Sequence, residues 1–206
     1  MERAELTELH YITPIANLAS ILKHGILSHR LAASLPHHSV AMSEIQERRQ
    51  GVCVPGGRPL HEYANLYLCA RNPMLFKRRD RHPELCVLAV STDVLDLPGV
   101  IITDGNAASS YTRFLPSPQG LEEIDHRLVF AKYWTDWDIF QQWHKKRAKC
   151  AEVLVPERVP PNFITGIYVS CSQSLQRCLC LSLKPNLVVK VDAHLFFLSY
   201  EGGCDG

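Results

Sequence analysis

Short apolar segments of strand length spread along the chain, one helix-periodic segment near its start, and no regular alternation between the two predict an α+β fold. The chain has 206 residues, of which 46% are hydrophobic and 21% charged. That is ordinary globular composition, and the length suits a single domain over residues 1–206 with a sizeable core. No internal repeat, low-complexity tract or interdomain linker interrupts it.

Thr13-Pro14 is expected to open the first helix, with Thr13 as N-cap and Pro14 at the first helical position. Ile15, Leu18, Ile21 and Leu22 recur on one face, and Gly25 stops the helix after His24. Residues 30–62 are loop-like apart from a short helix around residues 43–49. Residues 65–69 read as a strand, and Asn72-Pro73 as a turn behind it. Residues 77–82 form a basic loop. Leu85–Val90 is a continuous apolar run, the pattern of a strand buried on both faces, and residues 100–102 form another strand. Leu121, Ile124 and Leu128 mark a helix, followed by an aromatic-rich segment from Tyr133 to Trp143. Residues 153–155, 166–169 and 187–191 complete the strands.

The net charge of +1 gives no global field for a polyanion, so any nucleic-acid contact must come from local clusters. The first residues are polar and charged, unlike a secretory signal, and no apolar run approaches a membrane span, so a cytoplasmic location is expected. Cysteines stand at 53, 69, 86, 150, 171, 178, 180 and 204 without a Cys-x-x-Cys pair. They read as reduced core thiols, and no metal site is expected. Gly56-Gly57 lacks the Gly-Lys-Ser/Thr ending of a phosphate loop, and neither Gly-x-Gly-x-x-Gly nor Gly-x-Ser-x-Gly occurs. His37-His38 lies in a Pro-flanked loop and reads as solvent-exposed.

One carboxylate stands apart. Glu152 heads the apolar strand Val153-Leu154-Val155, directly after the cations Lys145, Lys146, Arg147 and Lys149. An acid there is held on a rigid element near positive charge, as a catalytic carboxylate often is. The competing reading is an edge-strand charge that blunts aggregation.

Five segments, in order over almost the whole chain, resemble the DarT family of DNA ADP-ribosyltransferase toxins. They are residues 11–27, residues 45–49 with Val52 and Val54, residues 60–75, residues 103–108 and residues 151–156. The resemblance implies an ADP-ribosyltransferase-like fold, with a central, mostly antiparallel split β-sheet flanked by helices. It implies NAD as co-substrate, a base of single-stranded DNA (thymine or guanine) as acceptor, and a macrodomain antitoxin of the DarG kind as partner. The competing readings are an ADP-ribosyltransferase acting on RNA or protein, and a catalytically inactive NAD- or nucleic-acid-binding module, against which the intact Glu152 and Arg48-Arg49 argue. His10-Tyr11 stands where a Tyr-His pair is expected, and Pro14 replaces a frequent His. Either His10 or Tyr11 therefore faces the cofactor.

Such a transfer needs a clamped dinucleotide, a stabilised ribosyl cation and a positioned, deprotonated acceptor nitrogen. By the resemblance, Glu152 is the general base, and Arg49, with Arg48 as second choice, is the motif arginine. Without it, Arg48-Arg49 reads as a solvated helix end. Thr13 and Asn17 flank a helix start, which suits a phosphate or simple capping. Tyr67 and Met74 read equally as a nicotinamide wall or as core. Lys145, Lys146, Arg147 and Lys149 are candidates for a nucleic-acid backbone, and Tyr133, Trp134, Trp137 and Trp143 for base stacking. The competing readings are a solvated loop and a core.

Overall fold

The structure, a computed structural model, describes residues 1–38, 43–181, 183 and 187–198. In chain order the strands are β1 (Leu9–Pro14), β2 (Ile26–Leu27), β3 (Tyr63–Tyr67), β4 (Leu85–Val90), β5 (Ile101–Thr103), β6 (Phe114–Pro116), β7 (Glu152–Pro156), β8 (Arg158–Val159), β9 (Ile164–Val169) and β10 (Val188–Val191). The helices are α1 (Leu18–His24), α2 (His29–Ala32), α3 (Ser43–Gln50), α4 (Pro73–Phe76), α5 (His126–Val129), α6 (Ile139–Ala148) and α7 (Ser172–Leu179), with short 3-10 turns between them.

Eight strands form one sheet in the order β10-β9-β4-β1-β3-β7-β5-β6. All neighbours are antiparallel except β9 and β10. The fold is therefore α+β with a mostly antiparallel sheet, as expected. β2 and β8 form a separate ribbon.

β4 is apolar throughout because it is covered on both faces. Leu88 and Val90 join the larger core with Leu66, Val153 and Ile167, while Leu85 and Val87 face Ile12, Leu75 and Phe196. β1 and β4 pair over their full lengths, from Leu9–Val90 to Pro14–Leu85. β1 and β3, by contrast, share one paired position, His10 with Tyr67. That thin junction is the split in the sheet.

Several local expectations are corrected. Thr13 and Pro14 end β1 and do not open a helix; a 3-10 turn over Ile15–Asn17 intervenes, and α1 begins at Leu18. The β1 pairing supplies hydrogen bonds that outweigh the local helix-start signal. Asn72-Pro73 opens α4 and is no bare turn: the Asn72 side chain accepts from the N–H groups of Met74 and Leu75. Leu121 and Ile124 belong to a 3-10 turn and its end, apart from α5. The basic segment 77–82 runs into a 3-10 turn over Arg79–Glu84. Not every cysteine is a core thiol: Cys53 and Cys180 are exposed, and Cys204 lies outside the described residues.

Gly25 ends α1 with φ +88°, and a side-chain carbon there would overlap the Val159 carbonyl of β8. Gly56 also has positive φ (+66°) but faces open space. Gly25→Ala is expected to lower stability well beyond the roughly 1–2 kcal/mol of left-handed strain, and Gly56→Ala by about that strain alone. Denaturant unfolding of the two variants checks the order.

Candidate active site

A cavity of about 480 Å³ opens at the split between β1 and β3, within the size range of small-molecule sites. Its walls include Tyr11 and Thr13 of β1, Asn65 and Tyr67 of β3, Arg48 and Arg49 of α3, Met74 of α4, Lys146 of α6, and Glu152 of β7.

Glu152 is fully buried. β7 is an interior strand, with Glu152 opposite Tyr67 of β3 on one side and Thr103 of β5 on the other. The edge-strand reading is thereby excluded. Arg49, 6% exposed, donates through Nη1 to both carboxylate oxygens, at 3.0 and 3.3 Å. Burial pushes the Glu152 carboxyl up, and the charge and hydrogen bond of Arg49 and the Ala107 N–H only partly oppose it; the net shift is upward. Arg49 Nη2 is buried with no protein partner among the described residues. A guanidinium donor left open beside a carboxylate suits a ligand oxygen. Arg48 is exposed and lines the cavity without touching Glu152. Of the two arginines, Arg49 is the one joined to the carboxylate.

The turn after β5 brackets Glu152, and sequence reasoning gave it no role. Thr103 Oγ1 accepts from Glu152 N–H at 3.1 Å and donates to Gly105 carbonyl at 2.8 Å. Asn106 reaches the cavity, and its side chain accepts from Ala108 N–H. The sequence signals were its place as one of the five family-like segments (residues 103–108) and a turn-forming Asp-Gly-Asn directly behind an apolar strand. Gln46, one turn before Arg49, also lines the cavity with its Oε1 unpartnered among the described residues.

Between His10 and Tyr11, Tyr11 lines the cavity; its hydroxyl is pushed up to about 12 by burial. His10 is buried on β1 beside Glu8, 3.2 Å from its carboxylate, and is not part of the cavity wall. Asn17 caps no helix N–H. Its Nδ2 donates to Thr13 Oγ1 (3.1 Å) and His38 carbonyl (2.8 Å), and its Oδ1 accepts from His38 N–H (2.9 Å). Thr13 and Asn17 thus fix the segment ending at His38 against the cavity. Tyr67 is buried, with its hydroxyl raised mainly by burial and next by Glu152. Met74 stands partly buried against the same cluster. Both therefore serve core and cavity wall at once.

The cation run is the last turn of α6 and its C-cap, where positive charge complements the helix dipole. Its members part ways. Lys145 pairs with Asp136 at 2.6 Å, and Arg147 with Asp104 at 2.6 Å. Lys149 is 2% exposed and points at Cys69 Sγ, 3.2 Å away, so it is not available to an external strand. Only Lys146 of the four lines the cavity. Of the aromatics, Trp134 packs edge-on against Phe76 and Phe197, whereas Trp137, Trp143 and Tyr133 are exposed. α6 itself, capped by Asp138, carries exposed Ile139 and Phe140.

Among the described residues no group of three or more His, Cys, Asp or Glu is placed to hold a metal ion, and no helix is long and apolar enough to cross a membrane.

Residues 10–197 match the family model described as ssDNA thymidine ADP-ribosyltransferase, DarT. A DNA ADP-ribosyl transferase–DNA ADP-ribosyl glycohydrolase fusion protein of Thermosipho africanus is 33% identical over 201 residues. The match covers 93% of this chain and 50% of the fusion protein, so the chain spans about half the length of that relative. The solved structure of Thermosipho africanus DarTG with ADP-ribose superposes with a TM-score of 0.81 at 34% identity, over 93% of this chain and 51% of that one. Thermus sp. 2.9 DarT with ADP-ribosylated ssDNA superposes with a TM-score of 0.74 at 26% identity, over 93% and 96%.

Removing Arg49 would leave the Glu152 carboxylate buried without its cation, a change that typically costs about 3–5 kcal/mol. Protonation relieves it. A carboxyl raised above its ordinary value of 4.5 binds more protons folded than unfolded, so its contribution to stability falls as pH rises through that window. Arg49→Gln should therefore lose much stability at pH 8 and less at pH 5, relative to the parent. Thermal unfolding at the two pH values measures it.

Proposed function

Because the chain belongs to the DarT family, we propose that it transfers ADP-ribose from NAD to a base of single-stranded DNA. The observation that carries this reading is the Arg49–Glu152 pair buried at the wall of the cavity. The family likeness and the ADP-ribose and ADP-ribosylated ssDNA held by the two solved relatives support it.

In this reading NAD occupies the cavity, with Tyr11, Thr13, Tyr67 and Met74 as its walls and Asn17 holding the segment over it. The ribose–nicotinamide bond breaks, nicotinamide leaves with the bonding pair, and the Glu152 charge stabilises the cationic transition state at the ribose in a water-poor site. Glu152 then accepts the proton of the acceptor ring nitrogen. A carboxylate raised by burial is the better base near neutral pH. Arg49 keeps that carboxylate oriented and turns its free Nη2 toward the substrate. His10 holds no place at the cavity and serves to brace β1. The exposed Trp137, just before the helix that carries Lys146, and Phe140 and Trp143 on it give an acceptor strand faces to stack on. We read residues 1–206 as one catalytic domain acting in the cytoplasm as a toxin, opposed by a macrodomain antitoxin of the DarG kind.

Glu152→Gln retains shape and removes the base; transfer should fall by roughly 10²–10⁴-fold with NAD binding largely retained. Transfer within a few-fold of the parent would remove Glu152 from the mechanism. Arg49→Lys should also fail, because an ammonium lacks the planar fork, and Arg48→Ala should be milder. The reverse order would assign the role to Arg48.

The acceptor is tested with labelled NAD and matched single-stranded, duplex and RNA oligonucleotides. Label is expected on single-stranded DNA only, since extruding a paired base costs on the order of a few kcal/mol. The family description names thymidine, so thymine is expected ahead of guanine. Label on RNA or protein instead would overturn the acceptor and leave the transferase standing.

A further inference from the structure

The four cations before Glu152 look interchangeable in the sequence, but three of them are tied down. Lys145 is held by Asp136, Lys149 lies inward at Cys69, and Arg147 Nη2 donates to Asp104 (2.6 Å) and to the Tyr111 carbonyl (2.7 Å). Lys146 alone has no hydrogen-bond or ion-pair partner among the described residues, and it faces the cavity.

Asp104 is the fixed point of this arrangement. Its side chain is only 10% exposed. It accepts from the Arg113 N–H (2.9 Å), Arg113 Nε (2.7 Å) and Arg147 Nη2 (2.6 Å). Gly105 follows it, and a side-chain carbon there would stand 2.8 Å from Arg147 Cγ, so the turn and the helix end are in close contact. The turn is also held from within, by Thr103 to Gly105 and by Thr112 to Asn106. Loss of Asp104 therefore releases Arg147 at the end of α6 together with Arg113, while the turn beside Glu152 keeps its Thr103–Gly105 and Thr112–Asn106 bonds.

We propose that Asp104, acting through Arg147, is a positioning residue that sets Lys146 at the cavity wall as the contact for an acceptor-strand phosphate, a role that rests on the transferase reading above. Arg147 is neutralised by Asp104 and serves as a strut. Lys146 is the cation that meets the polyanion.

The test is steady-state transfer from labelled NAD to a single-stranded thymidine-containing oligonucleotide over a salt series. Lys146→Gln should raise the oligonucleotide KM about tenfold and lessen the log–log salt slope by about one, as removal of one phosphate contact does. Asp104→Asn should raise the same KM comparably, with kcat within about threefold and the KM for NAD unchanged. Arg147→Gln breaks the same bond from the other side and should reproduce this; it carries the test if Asp104→Asn does not fold. The double variant Asp104→Asn/Lys146→Gln should be no worse than Lys146→Gln alone, because both remove one contact. Effects that multiply, or a fall in kcat with a matching rise in the NAD KM, would make Asp104 a plain structural brace and overturn the proposal. An unchanged salt slope in Lys146→Gln would also overturn it. If the parent labels no nucleic acid, the transferase reading fails, and this role with it.

Discussion

The rest of the site depends on the burial of one carboxylate. Glu152 has no exposed surface, and the Arg49 guanidinium that faces it is nearly as enclosed. Removing both charges from water is expensive, and a buried ion pair of this kind is a weak contributor to stability. An apolar pair of similar volume would serve the fold at least as well. The surrounding hydrogen bonds make sense as the means of retaining the charge. Arg49 covers both oxygens, the Ala107 N–H assists, and Thr103 fixes the backbone at the same residue. Even so the carboxyl lies above its ordinary range, which leaves it ready to accept a proton.

An interior strand is what makes such a mount possible. Side chains alternate along β7, so Val153 and Val155 enter the main core while Glu152 and Leu154 face the other way. A one-residue slip would exchange the two sets, and pairing with β3 and β5 on both sides forbids it. The acid is thus as fixed as the core itself. The cavity opens beside it because β1 and β3 part after a single paired position.

Much of the fold was readable where burial is uniform. Leu85–Val90 announced an interior strand, with the right ends, because nothing polar interrupts it. The end of β1 is hidden in the sequence because Thr13-Pro14 resembles a helix start, and only the distant β4 shows otherwise. α6 escaped detection because Ile139, Phe140 and Trp143 face solvent and leave no inward apolar stripe to count. Within the site, the acid and the Arg48-Arg49 pair were identifiable from the motif. The motif put Arg49 ahead of Arg48, but the contact that joins Arg49 to the acid spans 103 positions of chain, which no local pattern encodes. The same holds for the cations: Asp104, Asp136 and Cys69, which divide Lys145, Arg147 and Lys149 from Lys146, come from three separate segments.

The junction between β1 and β3 has a mechanical consequence. Tyr11 and Thr13 stand on one side of it, Tyr67 and Glu152 on the other, and His10–Tyr67 is the sole backbone pairing between these two strands. A molecule seated in the cavity touches both sides and serves as a strut where the hydrogen-bond ladder is missing. Its binding free energy is then spread through the sheet as cohesion. At a hundred times its dissociation constant, a ligand that binds only the folded chain contributes about 2.7 kcal/mol, more than one further pair of strand hydrogen bonds is worth at about 1 kcal/mol each. In the transferase reading, the dinucleotide would join the two halves of the sheet where their own backbone pairing ends.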